Sequence, residues 1–194
     1  EIEKLTLDII AAAKRFIYIE NQYLTSAKIS AAIATRMTEA NPPDVVVVMP
    51  RSGDGWLEQM AMDAARVQLA RAIGKVDKGD RFRIYVPLTK GGEDIYVHAK
   101  LMIVDDRILR IGSANLNNRS LGLDSECDMV LDAALPANQG CEKAISELRT
   151  RLMAEHLGVE VEAVAAQMKT GGSLVDTIET LRGDGKTLEL LDLE

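Results

Sequence analysis

The sequence predicts an α/β fold, with a mixed, mostly parallel central sheet and helices on both faces. Two observations carry this. Some segments place apolar residues at helical spacing, whereas others run apolar for five or six residues without a break, and the two kinds alternate along the chain. Strands interleaved with helices argue for one sheet covered on both sides. Such sheets commonly seat ligands at the loops beyond strand ends.

The elements follow in order. Ile2, Leu5, Ile9, Ala12 and Ala13 fall at helical spacing across residues 2–15. Phe16-Ile17-Tyr18-Ile19-Glu20 reads as a buried strand, and residues 26–38 as a second helix. Residues 44–50 form the next strand, closed by Pro50 and the turn Ser52-Gly53-Asp54-Gly55. Asp54 is placed to cap a helix that runs to Ile73 and stops at Gly74. Residues 81–87 are a strand, followed by the loop Lys90-Gly91-Gly92. Residues 95–105 and 107–113 read as two strands meeting at Asp105-Asp106, and 125–132 as another. A helix over 139–156 ends at Gly158, with shorter helices near 159–168 and 173–182.

A chain of 194 residues can build a core without a disulfide or metal staple. Cys127 and Cys141 have no C-x-x-C spacing and read as buried thiols. With His98 and His156 the only histidines, no dense His/Cys cluster is expected, so neither a zinc site nor any other cofactor is anticipated. The net charge is −7, unevenly spread: residues 51–110 carry eleven Lys/Arg against nine Asp/Glu, and residues 151–194 four against nine. Long nucleic acid needs an extended basic footprint, and an acidic chain of this kind argues against it. A small or lipid-bound phosphodiester fits better. No apolar run approaches the ~20 residues of a membrane span, so a cytoplasmic or membrane-peripheral location is favoured. Glu1 opens directly into a helical pattern with no initiator Met, so a longer parent polypeptide is expected.

The chemistry is concentrated in residues 97–128, VHAKLMIVDDRILRIGSANLNNRSLGLDSECD. This stretch holds H-x-K-x-x-x-x-D at His98, Lys100 and Asp105, then G-S-x-N at Gly112, Ser113 and Asn115, then Glu126. Residues two apart in a strand share a face, so His98 and Lys100 are expected to stand side by side. An imidazole can attack phosphorus or protonate a leaving oxygen. The lysine meets the non-bridging oxygens as a point charge, and Asn115 and Ser113 add an amide and a hydroxyl. Nothing in this set requires a metal.

The stretch resembles the HKD signature of the phospholipase D superfamily, whose downstream G-S-x-N and acidic residue it also matches; six fixed positions make chance coincidence remote. Residues 16–24, FIYIENQYL, are similar to the segment that opens the second half of two-motif members. Gly55-Trp56-Leu57-Glu58 and Glu155-His156-Leu157-Gly158 are similar to that half as well. The resemblance implies a phospholipase D-like half, with residues 1–160 as a C-terminal HKD catalytic domain and 161–194 as an acidic helical extension packed on it.

It further implies an active site assembled from two HKD motifs, in one chain or across a homodimer. One histidine becomes a phosphohistidine while the other protonates the leaving alcohol and then activates water. The implied partner is thus an N-terminal HKD half of the same chain, or a homodimer mate. The implied substrate is a phospholipid or other phosphodiester, with peripheral membrane contact compatible. His98 takes the acid/base role, Lys100 and Asn115 hold phosphate with Ser113 beside them, and Glu126 orients the imidazole. Asp105 belongs to the motif but is read as structural, and Asp106 and Asp124 as turn or salt-bridge residues. Rival readings are a cardiolipin-synthase-type phosphatidyltransferase, a nuclease, and a catalytically silent half that docks on a partner.

Glu20, Asn21 and Gln22 are read as the ordinary polar end of a strand rather than as pocket lining. Trp56 reads as core packing, and His156 as a cation in the last turn of a helix, favoured by the dipole.

Overall fold

Phe16–Asn21 and Asp44–Val48 are buried at every position, which central strands with both faces covered achieve. The computed structural model describes residues 1–52 and 56–191, with 56–63 described by backbone alone. The expected cap at Asp54 and the side chain of Trp56 lie outside the described residues. In chain order the elements are α1 (Ile2–Ala12), β1 (Phe16–Asn21), α2 (Ala27–Met37), β2 (Asp44–Val48), α3 (Trp56–Gly74), β3 (Phe82–Leu88), β4 (Lys100–Val104), β5 (Ile108–Gly112), α4 (Asn118–Gly122), β6 (Asp128–Asp132), α5 (Glu142–Leu157), α6 (Val161–Gly171), α7 (Leu174–Leu181) and β7 (Thr187–Leu190). No helix among the described residues is long and apolar enough to cross a membrane.

The strands form one seven-stranded sheet in the order β6-β5-β4-β1-β2-β3-β7. Strand alternation divides the core in two. Ile17, Ile19, Val45, Val47, Met102 and Val104 face Ile9, Ile29, Ile33 and Ile73 of α1–α3. Tyr18, Val46, Val48, Leu101 and Ile103 face Ile145, Met153, Val164 and Ile178 of α5–α7. The α/β class with helices on both faces therefore holds.

The expectation of mostly parallel pairing needs correction. Only β1–β2 and β2–β3 are parallel, while β1–β4, β3–β7, β4–β5 and β5–β6 are antiparallel. The cause is loop length. Parallel neighbours need a crossover of about a dozen residues or more, which α2 and α3 supply. Only Asp105, Asp106 and Arg107 separate β4 from β5, so that pair closes as a hairpin.

The strand expected over 95–105 begins only at Lys100. After β3 the chain folds back once, with Ile95 N–H donating to the Pro87 carbonyl at 2.8 Å. It must then reach β4, three strand positions away in the sheet order, or about 14 Å at ~4.8 Å per strand. Residues 96–99 therefore cross the strand ends outside the sheet ladder. His98 consequently lies outside the strand that holds Lys100. β7 was not anticipated either: Thr187–Leu190 pairs with β3 as an edge strand in which Leu188 alone is buried. Cys127 is exposed and Cys141 half-buried, so neither is a buried thiol: one lies in the loop before edge strand β6 and the other caps α5.

Two carboxylates tie down the far end of the sheet. Asp44, 2% exposed, accepts from Arg81 at 2.8 Å, the Ser173 hydroxyl at 2.7 Å and Leu174 N–H at 2.8 Å, binding the start of α7 to β2. Asp105 accepts from the backbone N–H groups of Lys14, Arg15 and Phe16 at 2.7, 2.8 and 2.9 Å. Its φ of 56° lies in the left-handed region, which Asp tolerates better than most residues. Asp106 forms a two-pronged pair with the guanidinium of buried Arg149, at 2.7 and 2.9 Å, and Asp124 accepts from Arg119 at 3.0 Å. Asp105→Ala removes three hydrogen bonds and places a poorer residue at positive φ. It is expected to lower unfolding stability by about 1–3 kcal/mol, read by urea denaturation. An unchanged denaturation midpoint would contradict this account of the clamp.

Candidate active site

The antiparallel pairing of β4 on β1 sets Lys100 opposite Asn21. The end of β1, the start of β4 and the end of β5 therefore meet at one end of the sheet. Lys100 is only 8% exposed. Its Nζ donates to the His98 carbonyl at 2.7 Å and to Gln22 Oε1 at 3.2 Å. Asn115 Nδ2 donates to the same Gln22 oxygen at 3.4 Å. A lysine offers only donors, so the Gln22 atom facing it is the carbonyl oxygen, and the Asn115 atom facing that oxygen is the amide nitrogen. Asn115 Oδ1 is buried and has no hydrogen-bond partner among the described residues, an unmet acceptor of the kind that native structures keep at functional places.

His98 is exposed. Its ring stacks on Tyr96, with centroids 6.3 Å apart and planes 21° from parallel. Gln22 Nε2 donates to the hydroxyls of Tyr96 at 2.6 Å and Tyr23 at 3.1 Å. His98, Lys100, Asn115 and Gln22 are thus brought together. Reading Gln22 as a routine strand end missed it. The available signal was the run of three polar residues, Glu20, Asn21 and Gln22, at the end of an otherwise apolar strand, where buried polar side chains must find partners.

The loop carrying Asn115 is fixed from several sides. Arg110 and Asp128, each 1% exposed at the side chain, pair with Arg110 Nε at 2.8 Å from Asp128 Oδ2. Asp128 also accepts from Ala114 N–H at 3.2 Å, and Arg110 donates to the Ala114 carbonyl at 3.3 Å. Asn21 Oδ1 accepts from Leu116 N–H at 3.2 Å. Gly112 is required by close approach: a Cβ there would lie 2.6 Å from Asp128 Cα and 2.5 Å from the Cys127 carbonyl oxygen.

The remaining expected residues fall differently. Glu126 Oε2 accepts the Ser113 hydroxyl at 2.5 Å, and Ser113 Oγ accepts from Cys127 N–H at 2.9 Å. The imidazole of His98 shows no hydrogen bond to Glu126 among the described residues, so Ser113 and Glu126 are occupied with each other. Asp105 follows the opposite end of β4, about 17 Å from Lys100 at ~3.4 Å per residue. His156 does sit in the last turn of α5, but its Nε2 also lies 3.1 Å from Glu20 Oε1. That buried carboxylate takes the Tyr18 hydroxyl at 2.7 Å as well. Tyr18, like Glu20, belongs to the face covered by α5, so this trio packs behind the site.

A family profile described as "Cardiolipin synthase, PLD-like domain" matches residues 6–149. The phospholipase D of Phytophthora infestans is 31% identical over 209 aligned positions, covering 81% of this chain and 11% of that protein. Nuc, a phospholipase D family member from Salmonella typhimurium, superposes with a TM-score of 0.56 at 20% identity, over 76% of this chain and 82% of that one. The phosphatidylserine synthase of Haemophilus influenzae gives 0.57 at 15% identity, over 92% of this chain and 44% of the other. At such identities these two structures speak for the fold alone. The chain spans 11% of the length of the Phytophthora protein, so curated relatives are far longer.

Burial holds the Lys100 ammonium below the ordinary lysine range, and the charge of Glu126 draws it partly back up. The protonated form is therefore present at low pH and is lost, as pH rises, earlier than in a solvent-exposed lysine. Glu126→Gln removes the opposing influence, so the loss should move to lower pH still. Nζ titration by heteronuclear NMR measures this, and a shift to higher pH in Glu126→Gln would contradict the stated cause.

Proposed function

Because this chain belongs to the phospholipase D superfamily, we propose that it supplies one HKD half of a phosphodiesterase site that hydrolyses or exchanges the head group of a phospholipid. The observation that carries this is the convergence of Lys100 Nζ and Asn115 Nδ2 on one Gln22 oxygen, with Lys100 also bonded to the backbone of His98, whose imidazole is exposed. Each nitrogen keeps a free N–H, and a phosphate's non-bridging oxygens complete such a pair of donors.

In this reading a histidine of the other half attacks phosphorus, forming the P–N bond as the bond to the leaving oxygen breaks. His98 gives that oxygen its proton. Neutral His98 then takes a proton from water or an alcohol as its oxygen attacks phosphorus and the P–N bond breaks. Lys100 and Asn115 hold the phosphoryl oxygens throughout. Ser113 and Glu126 border the phosphate side, with Glu126 tuning the charge of Lys100. Asp105 acts on the fold alone.

The need for a second half is supported by the surface beside the site. Ile111 and Met129 are cross-strand partners on β5 and β6, next to Gly112 and Asp128, and they are 47% and 66% exposed. A partner half, within the same polypeptide or a second copy, is the occupant that would cover them and bring the missing histidine. In this reading residues 1–160 are the catalytic domain and 161–194 an extension of it. A phosphatidyltransferase of cardiolipin-synthase type would use the same residues with an alcohol acceptor. The intact His98, Lys100 and Asn115 set weighs against a silent docking half, and the acidic balance against a nuclease.

In the complete enzyme His98→Ala should lower turnover of a lipid substrate by about 10²–10⁴-fold. A nitrophenyl phosphodiester, whose leaving group needs no proton, should lose much less. Equal losses on both substrates would make His98 the nucleophile instead. Adding a primary alcohol should divert product to the alcohol ester while substrate consumption continues, because a phosphohistidine partitions between acceptors. Product analysis showing hydrolysis alone over a wide alcohol range would remove the support for a covalent route.

A further inference from the structure

We infer that Gln22 is the positioning residue of this site: its side-chain amide sets the separation and aim of Lys100 Nζ and Asn115 Nδ2 and, through Tyr96, braces the ring that stacks on His98. The inference rests on the half-site reading and deepens it. An amide side chain offers two donors and two acceptor lone pairs, and Gln22 has all four in use. Its oxygen takes Lys100 at 3.2 Å and Asn115 at 3.4 Å, and its nitrogen gives to Tyr23 at 3.1 Å and Tyr96 at 2.6 Å. A group so saturated has no capacity left for substrate, and its role is exercised through its partners.

Three features make that role effective. Gln22 is 8% exposed, so its hydrogen bonds do not compete freely with water. Its backbone is tied to the sheet beside it, because Asn21 Oδ1 accepts from both Tyr23 N–H at 3.1 Å and Leu116 N–H at 3.2 Å. Lys100 has a flexible stem, and the His98 carbonyl alone would leave its ammonium free to swing. The second acceptor at Gln22 removes that freedom and leaves one N–H aimed outward. Asn115 likewise keeps one amide hydrogen. Both outward donors flank the same oxygen, which fixes the width of the phosphate seat. Gln22 lies 78 residues from Lys100 and 93 from Asn115 in sequence, so the HKD stretch cannot set that width by itself.

The test uses the complete enzyme on a soluble nitrophenyl phosphodiester, with inorganic phosphate as a competing anion. Gln22→Ala should lower kcat/KM by about 10²-fold, the scale of an ångström-sized misplacement, and weaken inhibition by phosphate in parallel. Gln22→Glu keeps an oxygen against Lys100 and Asn115 but loses the donors to both tyrosines. Its carboxylate should hold the lysine proton longer, moving the basic limb of the kcat/KM profile to higher pH. A merely structural Gln22 would leave that limb in place, and an unmoved limb overturns the proposal even where Gln22→Ala does not fold. Normal kcat/KM and phosphate inhibition in Gln22→Ala overturn it as well. His98→Ala on a lipid substrate separates the two readings. Full activity there sinks the half-site, whereas its loss beside unaltered Gln22 variants sinks the positioning role alone.

Discussion

The register between β1 and β4 is the constraint on which the site depends. Strand side chains alternate with a period of two, so a slip of one residue would turn Lys100 to the other face of the sheet. It would also move Lys100 off its pairing with Asn21 and away from the residue that follows. The register is pinned at both ends. Apolar interlock places Met102 and Val104 among the α1–α3 contacts and Leu101 and Ile103 among those of α5–α7. At the far end the Asp105 carboxylate grips three successive N–H groups entering β1. The motif's aspartate thus works through the fold alone, by holding the strand whose first residue is the lysine.

A second layer of fixing surrounds the 113–116 loop. The buried Arg110–Asp128 pair contributes little net stability as an ion pair, since desolvating two charges offsets most of their attraction. Its value lies in geometry. Asp128 and Arg110 together satisfy both backbone groups of Ala114, while Thr25 and Ser26 N–H donate to the Leu116 carbonyl at 3.0 Å each. Asn115 is left as the residue between two anchored neighbours. A short polar loop at a sheet end is ordinarily mobile; here Ser113 N–H and both backbone groups of Ala114 and of Leu116 have partners.

The sequence shows how far pattern carries and where it stops. The motif named His98, Lys100 and Asn115, and the short link at Asp105-Asp106 already implied a hairpin. Reading that link as compatible with a mostly parallel sheet overlooked its own consequence. His98 was placed on a strand because apolar residues surround it, yet sheet order makes 96–99 a crossing segment, and order is not encoded locally. Gln22 stayed hidden for the same reason: its partners are Lys100, Asn115 and Tyr96, and nothing between them in sequence marks the meeting. Glu126 was read toward the imidazole by resemblance, whereas the nearer Ser113 hydroxyl takes it. β7 was missed because four half-polar residues at an edge carry little periodic signal.

The electrostatics of the site explain why these groups are held so firmly. Burying an ammonium is costly, and the fall in the Lys100 pKa records that cost. Two neutral oxygens, from His98 and Gln22, offset part of it, and Glu126 supplies a negative charge that does not touch the lysine. Asn115 Oδ1 meanwhile stays buried and unmatched among the described residues. Left free, the lysine would swing toward water and the asparagine would turn to satisfy its acceptor. The Gln22 amide and the anchored loop resist both motions. The fold's own contacts therefore hold these two donors in place. Under the proposed function that is preorganisation in the physical sense, because reorganisation that a phosphodiester would otherwise have to drive is carried out during folding.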